Sequence, residues 1–429
     1  MLKNFKRPSL GRSRQSEGNV QSHIIGLDIG TENVKALIGR VKGDGIEIVG
    51  VGRAHQHLAD MQAGAIADIA SVVSNCDEAL AQAENMAGVS VKSAVIGIAG
   101  ELVKGTTTIV KFTRKEPSKP LDMPEIERII GMVQARALDK AKAQLAWELG
   151  GKEVEIRLVN SALVSITIDG YVVSSPLGFQ GRDVTIQLYT AFAPLIHIGA
   201  LERTAAELDL DLLAVAAEPF AVSRSVIGND PNANMSAILM DVGGGTTDIA
   251  VLNEGGVEGT KMFGIGGRAF TRSIERDLAT DFSQAEILKL AVDSSKVPQH
   301  KKEQVRDALK KTLDVWISGV ELALGEFTKL DHLPHRILLC GGGSSLQMLM
   351  DTLSGGDWYK SLPFTRRPVV EHIEPGQVAG IIDKTGAAGD HTYITAMGLL
   401  RVGLDTLNQQ DPQHKAGSIK ERINRLLSV

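Results

Sequence analysis

Two short segments, 213 residues apart, constrain this chain more than any other feature. Asp28-Ile-Gly-Thr31 and Asp241-Val-Gly-Gly-Gly-Thr246-Thr247-Asp248 each sit between apolar, strand-forming runs. A strand, a glycine turn and a returning strand present backbone N–H groups to an anion, because glycine has no Cβ to block the approach. Threonine hydroxyls add donors. An aspartate at the strand end is a hard oxygen ligand for magnesium, directly or through its waters. Lys35 follows Asp28 by seven residues, on the returning strand, within reach of the same phosphates. One such loop alone is most simply a hairpin turn. Two of them predict two facing units that grip one polyphosphate.

Other glycine clusters extend the same reading. Cys340-Gly341-Gly342-Gly343-Ser344 follows the strand-like run RILL and precedes a helix start, a placement that suits close approach to a ribose, base or phosphate. Phe263-Gly264-Ile265-Gly266-Gly267 is weaker by itself; the helix after it offers Arg272 or Glu275 to a base, though surface charge explains them equally well. Glu218, in the run AEPFA, is placed to orient an attacking water or to be a helix-N-terminal carboxylate favoured by the dipole.

Composition narrows the alternatives. The chain has 429 residues, with 46 basic against 51 acidic and a net charge of −5, which argues against a general nucleic-acid binder. Glycine is abundant and aromatics are only 4%, favouring tight loops near phosphate over stacking surfaces. The two cysteines, Cys76 and Cys340, exclude a disulfide framework and fit a reducing compartment. No apolar run approaches the ~18 residues needed to span a bilayer. There is no GxxxxGK[ST], GxSxG or HExxH. His55 with His57, and His332 with His335, lack companions for a metal site and read as surface or capping residues.

Along the chain, residues 64–87 carry helical periodicity, and Asp122, Pro124 and Glu125 mark a helix start. The block from about 92 to 192 reads as a small α+β domain interrupting the first α/β unit. Residues 405–417 are polar and read as a linker. Behind them, Ser418 and Glu421 form a capping pair, and Ile419, Ile423, Leu426 and Leu427 fall on one helical face. With Lys420, Arg422 and Arg425, residues 415–429 carry +3 and suit an anionic membrane surface. Burial of four apolar side chains is largely offset by ordering the helix, so one copy binds weakly and many copies bind firmly.

The paired loops, the lysine, AEPFA and CGGGSSL resemble the actin/chaperone ATPase/sugar-kinase superfamily. Within it, VSITIDGYVVSSPLGFQGRDVTIQL, FGIGGRAFTRSIERDLATDFSQAEILK and GSIKERINRLL resemble the FtsA family of bacterial actin homologues. That resemblance implies an α/β, two-lobed actin-like ATPase of duplicated ribonuclease-H-like domains, with an inserted small α+β domain in the first lobe. The expected organisation is a disordered basic tail (1–22), a first lobe (23–91 and 193–234), the insertion (92–192), and a second lobe (235–265 and 333–404). A helical subdomain (266–332), a flexible linker (405–417) and a membrane-targeting helix (418–429) complete it.

The resemblance implies ATP and Mg2+ as cofactors. Asp28, Gly30, Thr31, Lys35, Asp241, Gly243, Gly244, Gly245, Thr246, Thr247, Gly266 and Gly267 are expected toward the nucleotide, with Gly341, Gly342 and Gly343 toward the nucleoside. Asp28 and Asp241 are expected at the metal. Hydrolysis is at most slow, with Glu218 as the water-positioning residue. The implied partners are the C-terminal tail of FtsZ on the 266–332 lobe, further copies of the chain in a filament, other division proteins and the anionic membrane, but no nucleic acid. The implied place is the cytoplasmic face of the inner membrane at the division site. The basic extension is longer than usual, the last helix lacks the Trp or Phe that often anchors such helices, and Glu218 looks more like the glutamate of MreB and the heat-shock chaperones. Two alternatives share the fold. A PilM-type scaffold of type IV pilus assembly needs no terminal lipid helix. A metabolic kinase needs a catalytic aspartate aimed at a substrate hydroxyl, which no segment clearly supplies.

Overall fold

The computed structural model describes residues 23–227, 234–295 and 297–410. The basic tail and the terminal helix, with Ile419, Lys420, Arg422, Ile423, Arg425, Leu426 and Leu427, lie outside the described residues.

The chain opens with β1 (His23–Ile29), β2 (Asn33–Lys42) and β3 (Gly45–His55), an antiparallel meander. A two-stranded ribbon, β4 (Met61–Gln62) and β5 (Ala65–Ile66), leads to α1 (Ile69–Ala87) and β6 (Ser93–Ile98). Then come β7 (Lys104–Thr113), α2 (Met123–Glu148), β8 (Ile156–Ile168), β9 (Tyr171–Val172) and β10 (Asp183–Pro194). They are followed by α3 (Leu195–Glu207), β11 (Asp211–Ala217) and α4 (Glu218–Ile227). A second meander, β12 (Ala237–Val242), β13 (Thr247–Asn253) and β14 (Gly256–Phe263), precedes α5 (Gly267–Asp277), α6 (Phe282–Leu290) and α7 (Gln299–Gly325). The last elements are β15 (Arg336–Cys340), α8 (Gln347–Ser354), β16 (Val369–His372), β17 (Ile381–Asp383) and α9 (Ile394–Gln410).

Local chemistry accounts for the helix boundaries. Asp68 caps α1 by accepting from the Ser71 amide, and Gly88 closes it in the left-handed conformation. Asp122 caps α2 by accepting from the Glu125 amide, with Pro124 in the first turn, as the sequence pattern predicts.

Two sheets repeat one plan. In the first, the order β11-β6-β1-β2-β3 joins parallel neighbours on one side of β1 to antiparallel neighbours on the other. In the second, β16-β15-β12-β13-β14 does the same around β12. This is the expected duplication, and it is the two-lobed actin-like architecture. Two apolar cores form, and the first reaches one face of the second sheet through Leu239, Leu252 and Leu338. The first is built on residues such as Leu27, Leu37 and Ile96, the second on Met240, Ile249 and Trp316. Among the described residues no helix is long and apolar enough to cross a membrane.

Four boundaries differ from the sequence expectation. β6 lies between β1 and β11 in the first sheet, so the insertion begins after Ile98 rather than at 92. The inserted strands extend the second sheet, because β7 pairs with β14 at Gly105–Thr260 and Thr106–Gly259. The chain also returns to the first lobe at its end. β17 pairs with β3, and α9 buries Ile394, Met397, Leu400 and Leu404 in the first core. Finally, α9 continues through Gln410, so residues 405–410 are helix rather than linker. Asp405 is paired with Arg224 and Arg401, and Leu407 packs on the core, which holds these polar turns in place.

Candidate functional site

The turns at the tops of the two meanders face each other across a cavity of about 450 Å³. The β1–β2 turn contributes Gly30, Thr31 and Glu32; the β12–β13 turn contributes Gly243, Gly244 and Thr246. The turns touch: a Cβ on Gly245 would lie 2.8 Å from Thr31 Oγ1, and one on Gly244 2.9 Å from Glu32 Cβ. The second turn is held from behind by the start of α5. The amide of Gly267 donates to the Gly243 carbonyl at 2.9 Å, and that of Arg268 to the Gly244 carbonyl at 2.7 Å.

The third glycine loop follows β15. Gly341 has φ +81°, and a Cβ there would lie 2.0 Å from Asp241 Oδ1. Only glycine fits both the backbone and the space. Gly341, Gly342 and Gly343 then line the cavity, with Ser345, Leu346 and Thr392 beside them.

The floor is acidic and buried. Asp28 accepts from Lys35 Nζ at 2.9 Å. Asp241 accepts from the Thr395 hydroxyl, and Asp248 from the Thr246 hydroxyl at 2.9 Å. Asp248 Oδ1 is buried with no hydrogen-bond partner. Glu218, the first residue of α4, lines the same space.

Burial works to lower the Lys35 pKa. Asp28, by charge and hydrogen bond, with Asp241 and Glu218 behind it, outweighs that and holds the ammonium above its usual value. The acids shift the other way. Burial raises Asp241, against the opposing pull of the Thr395 hydrogen bond and Lys35. Burial, then repulsion from Asp241, pushes Asp248 well above the usual carboxylate range. Burial pushes Glu218 well up too, followed by Asp28, Asp248 and Asp241. The floor thus holds four carboxylates, and Lys35 acts on three of them, Asp28, Asp241 and Glu218, an imbalance of the kind that a bound cation relieves.

Most of the residues singled out in the sequence meet here. Asp28, Gly30, Thr31, Lys35, Glu218, Asp241, Gly243, Gly244, Thr246, Gly267 and Gly341 to Gly343 all line the one cavity. Three do not. Gly245 packs on Thr31, and Gly266 lies against the backbone of Gly243 to Gly245. Thr247 points into the core, donating to the Ile265 carbonyl at 2.7 Å and accepting from Trp316 Nε1 at 2.9 Å. Strand alternation explains this: Thr246 faces the cleft, so Thr247 faces away. Arg272 and Glu275 are not in the cavity wall either. Arg272 lies over the Phe282 ring, 5.9 Å from its centroid.

In their place stand Arg268, Glu286 and Lys289, which the sequence reading missed. Lys289 pairs with Glu286 at 2.8 Å and donates to Thr271 at 2.9 Å and to the Gly267 carbonyl at 3.1 Å. The spacing of Glu286 and Lys289, three apart on a helix, was the available pattern.

Comparison with known proteins shows what this chain is similar to. The model of "Cell division protein FtsA" matches residues 238–398. The cell division protein FtsA of Pseudomonas aeruginosa is 27% identical over 404 residues, covering 89% of each chain. That of Neisseria meningitidis serogroup B is 26% identical over 426 residues, covering 94% of this chain and 95% of its own. Among solved structures, the PilM-PilN type IV pilus biogenesis complex aligns with a TM-score of 0.62 and 17% identity. The alignment covers 90% of this chain and 99% of that one, a likeness of fold. Along most of its length the chain is thus similar in sequence to cell division proteins named FtsA, and its two duplicated lobes have an actin-like fold.

Proposed function

We propose that this protein binds ATP with Mg2+ between its lobes, assembles into filaments, and tethers the FtsZ ring to the cytoplasmic membrane during division. The observation that carries the reading is the pair of aspartate–glycine turns facing each other over one cavity, with a third glycine loop at its side. Gly30, Thr31, Lys35, Gly243, Gly244 and Thr246 hold the phosphates, and Gly341 to Gly343 the nucleoside.

The residues present fit a magnesium nucleotide. The glycine cradle leaves room a Cβ would fill, and Asp248 Oδ1 is a buried acceptor with no partner. Among the described residues no three acidic, His or Cys groups cluster closely enough to hold a metal by themselves. That suits an ion that keeps several waters and takes a phosphate oxygen, with Asp28 and Asp241 as its carboxylates. When bound, the ion neutralises charge on the phosphates and screens the acidic floor. Glu218 then orients water. Burial, and then the charges of Asp28, Asp248 and Asp241, hold its pKa well up, so neutralising those neighbours favours its carboxylate form.

Filament formation and the surroundings rest on the similarity to FtsA proteins. On the 266–332 lobe, α7 leaves Val315 and Leu322 exposed two turns apart on one face, an apolar strip suited to the FtsZ C-terminal tail. In this reading the amphipathic, basic sequence pattern of residues 418–429 anchors the protein to the cytoplasmic face of the inner membrane, at the division site.

The test is co-sedimentation with anionic liposomes in ATP and Mg2+, comparing the full chain with residues 1–414. ATP-promoted pelleting that the shorter chain loses, with filaments on the vesicles, is the expected result. If neither form pellets, the terminal segment is a protein-docking helix and the tether is wrong. Removal of nucleotide with no change in assembly overturns the cleft reading.

A further inference from the structure

Arg268 is the residue that ties the two facing turns together. It stands at the second position of α5, on the second lobe. Its backbone amide donates to the Gly244 carbonyl at 2.7 Å, bracing the second turn. Its side chain crosses the cleft. Nε lies 2.7 Å from Glu32 Oε2, on the residue after Thr31 in the first turn. Nη2 donates to the Gln56 carbonyl at 3.1 Å and Nη1 to the Leu58 carbonyl at 3.4 Å, both just beyond β3. One arginine therefore spends its amide on the second turn and its guanidinium fork on the first lobe. Its side chain is only 11% exposed and that of Glu32 26%, so solvent weakens the pair little.

The contact has no slack. Glu32 Cβ lies against Gly244, and the Glu32 carbonyl accepts from the Gln56 amide at 3.0 Å. Glu32 is therefore fixed on its own lobe while its carboxylate reaches the other. The gap between the turns is set where this pair closes.

We propose that the Arg268–Glu32 clasp is a specificity device that makes the cleft prefer a nucleoside triphosphate over a diphosphate. This rests on the reading of the cleft as a nucleotide site. The third loop marks the nucleoside end, so each added phosphate reaches further toward the junction of the two turns. The last phosphate is the one whose grip depends on both turns at their closed spacing. A shorter chain is held without that spacing. Arg268 and Glu32 are positioning residues in this scheme: they act through the turns they hold.

The experiment uses the full chain with Mg2+ and fluorescent ATP and ADP analogues, and the variants Glu32→Gln, Arg268→Gln and their combination. Each single change is expected to weaken the ATP analogue about tenfold and the ADP analogue less than threefold. The combined variant falls no further than the weaker single, because the two side chains act as one unit. Arg268→Lys keeps the charge without the fork and recovers part of the loss. Hydrogen exchange without nucleotide gives a second readout: amides at 30–33 and 243–246 exchange faster in the variants. An unchanged ratio of ATP to ADP affinity, or additive losses, overturns the selectivity. Unchanged exchange in the variants overturns the clasp itself. If the unaltered protein binds neither analogue, the cleft reading and the selectivity fall together. Exchange then still reports whether the clasp closes the lobes.

Discussion

Across the first strand pair, Asp28 stands opposite Lys35; across the second, Asp241 stands opposite Asp248 at the same spacing of seven. One position on a duplicated frame thus carries an ammonium in one lobe and a carboxylate in the other. The first turn is charge-balanced by its own chain. The second buries two acids whose hydrogen-bond donors, among the described residues, are the hydroxyls of Thr395 and Thr246. Burial drives both pKa values up, whereas Lys35 is held charged by Asp28 against its own burial. The first turn pairs its acid with an ammonium as folded; the second sets one acid opposite another.

The sharpest break of that contrast is Lys35→Met. It leaves the Asp28 carboxylate buried without its partner, and loss of one member of a buried pair costs about 3–5 kcal/mol. Denaturant unfolding of the unliganded protein measures it. Asp248→Asn removes a charge the fold already penalises, so it leaves stability at neutral pH unchanged or raises it. Equal losses from the two changes abolish the distinction.

Function divides the other way. Asp241→Asn keeps the shape and an acceptor for Thr395 while deleting the charge offered to a metal. Affinity for the magnesium nucleotide is expected to fall about a hundredfold, within the span of a lost charge-assisted contact, with folding intact. Titration with and without Mg2+ checks this, and a loss of the same size without the metal means that Asp241 acts by holding the turns in place rather than through the ion.

Proton linkage sharpens the same point. An acid whose folded pKa is raised binds more protons folded than unfolded, from the ordinary carboxylate range near 4 up to its folded value. Its contribution to stability therefore falls as pH rises through that window. Burial holds His197 and His391 below their usual values, so their contribution rises with pH, but it is common to the unaltered protein and Asp248→Asn. The stability gap in favour of Asp248→Asn should open as pH rises above about 4. A flat difference means that Asp248 carries no raised pKa.

Local patterns in the sequence carried the parts of this site that local geometry builds. Asp-x-Gly turns, the Lys35 spacing and the Asp122 cap are each written within a few residues. What the sequence did not disclose depends on distant partners. Nothing near Arg268 names Glu32, 236 residues away. Polar composition after Asp405 reads as linker until Arg224 and the first-lobe core are in place to hold the helix. The return of α9 and β17 to the first lobe is likewise a matter of which sheet offers an edge and an apolar face.

Thr247 offers the smallest and cleanest test, because the first lobe already contains the comparison. Thr247 pairs with Val242 as Val34 pairs with Ile29, so the two occupy the same place in their hairpins. Both are fully buried. Val34 belongs to the apolar core of its lobe, whereas Thr247 accepts from Trp316 Nε1 and donates to the Ile265 carbonyl. Thr247→Val therefore gives the second turn the residue the first one has, with nearly the same volume. It strands a buried indole N–H and a carbonyl, at a cost of about 1–3 kcal/mol. Nucleotide affinity should not change, since the side chain faces away from the cavity. Stability loss without affinity loss assigns Thr247 to the core. A fall in affinity at constant stability returns it to the phosphate site, where the run of Gly-Gly-Gly-Thr-Thr first placed it.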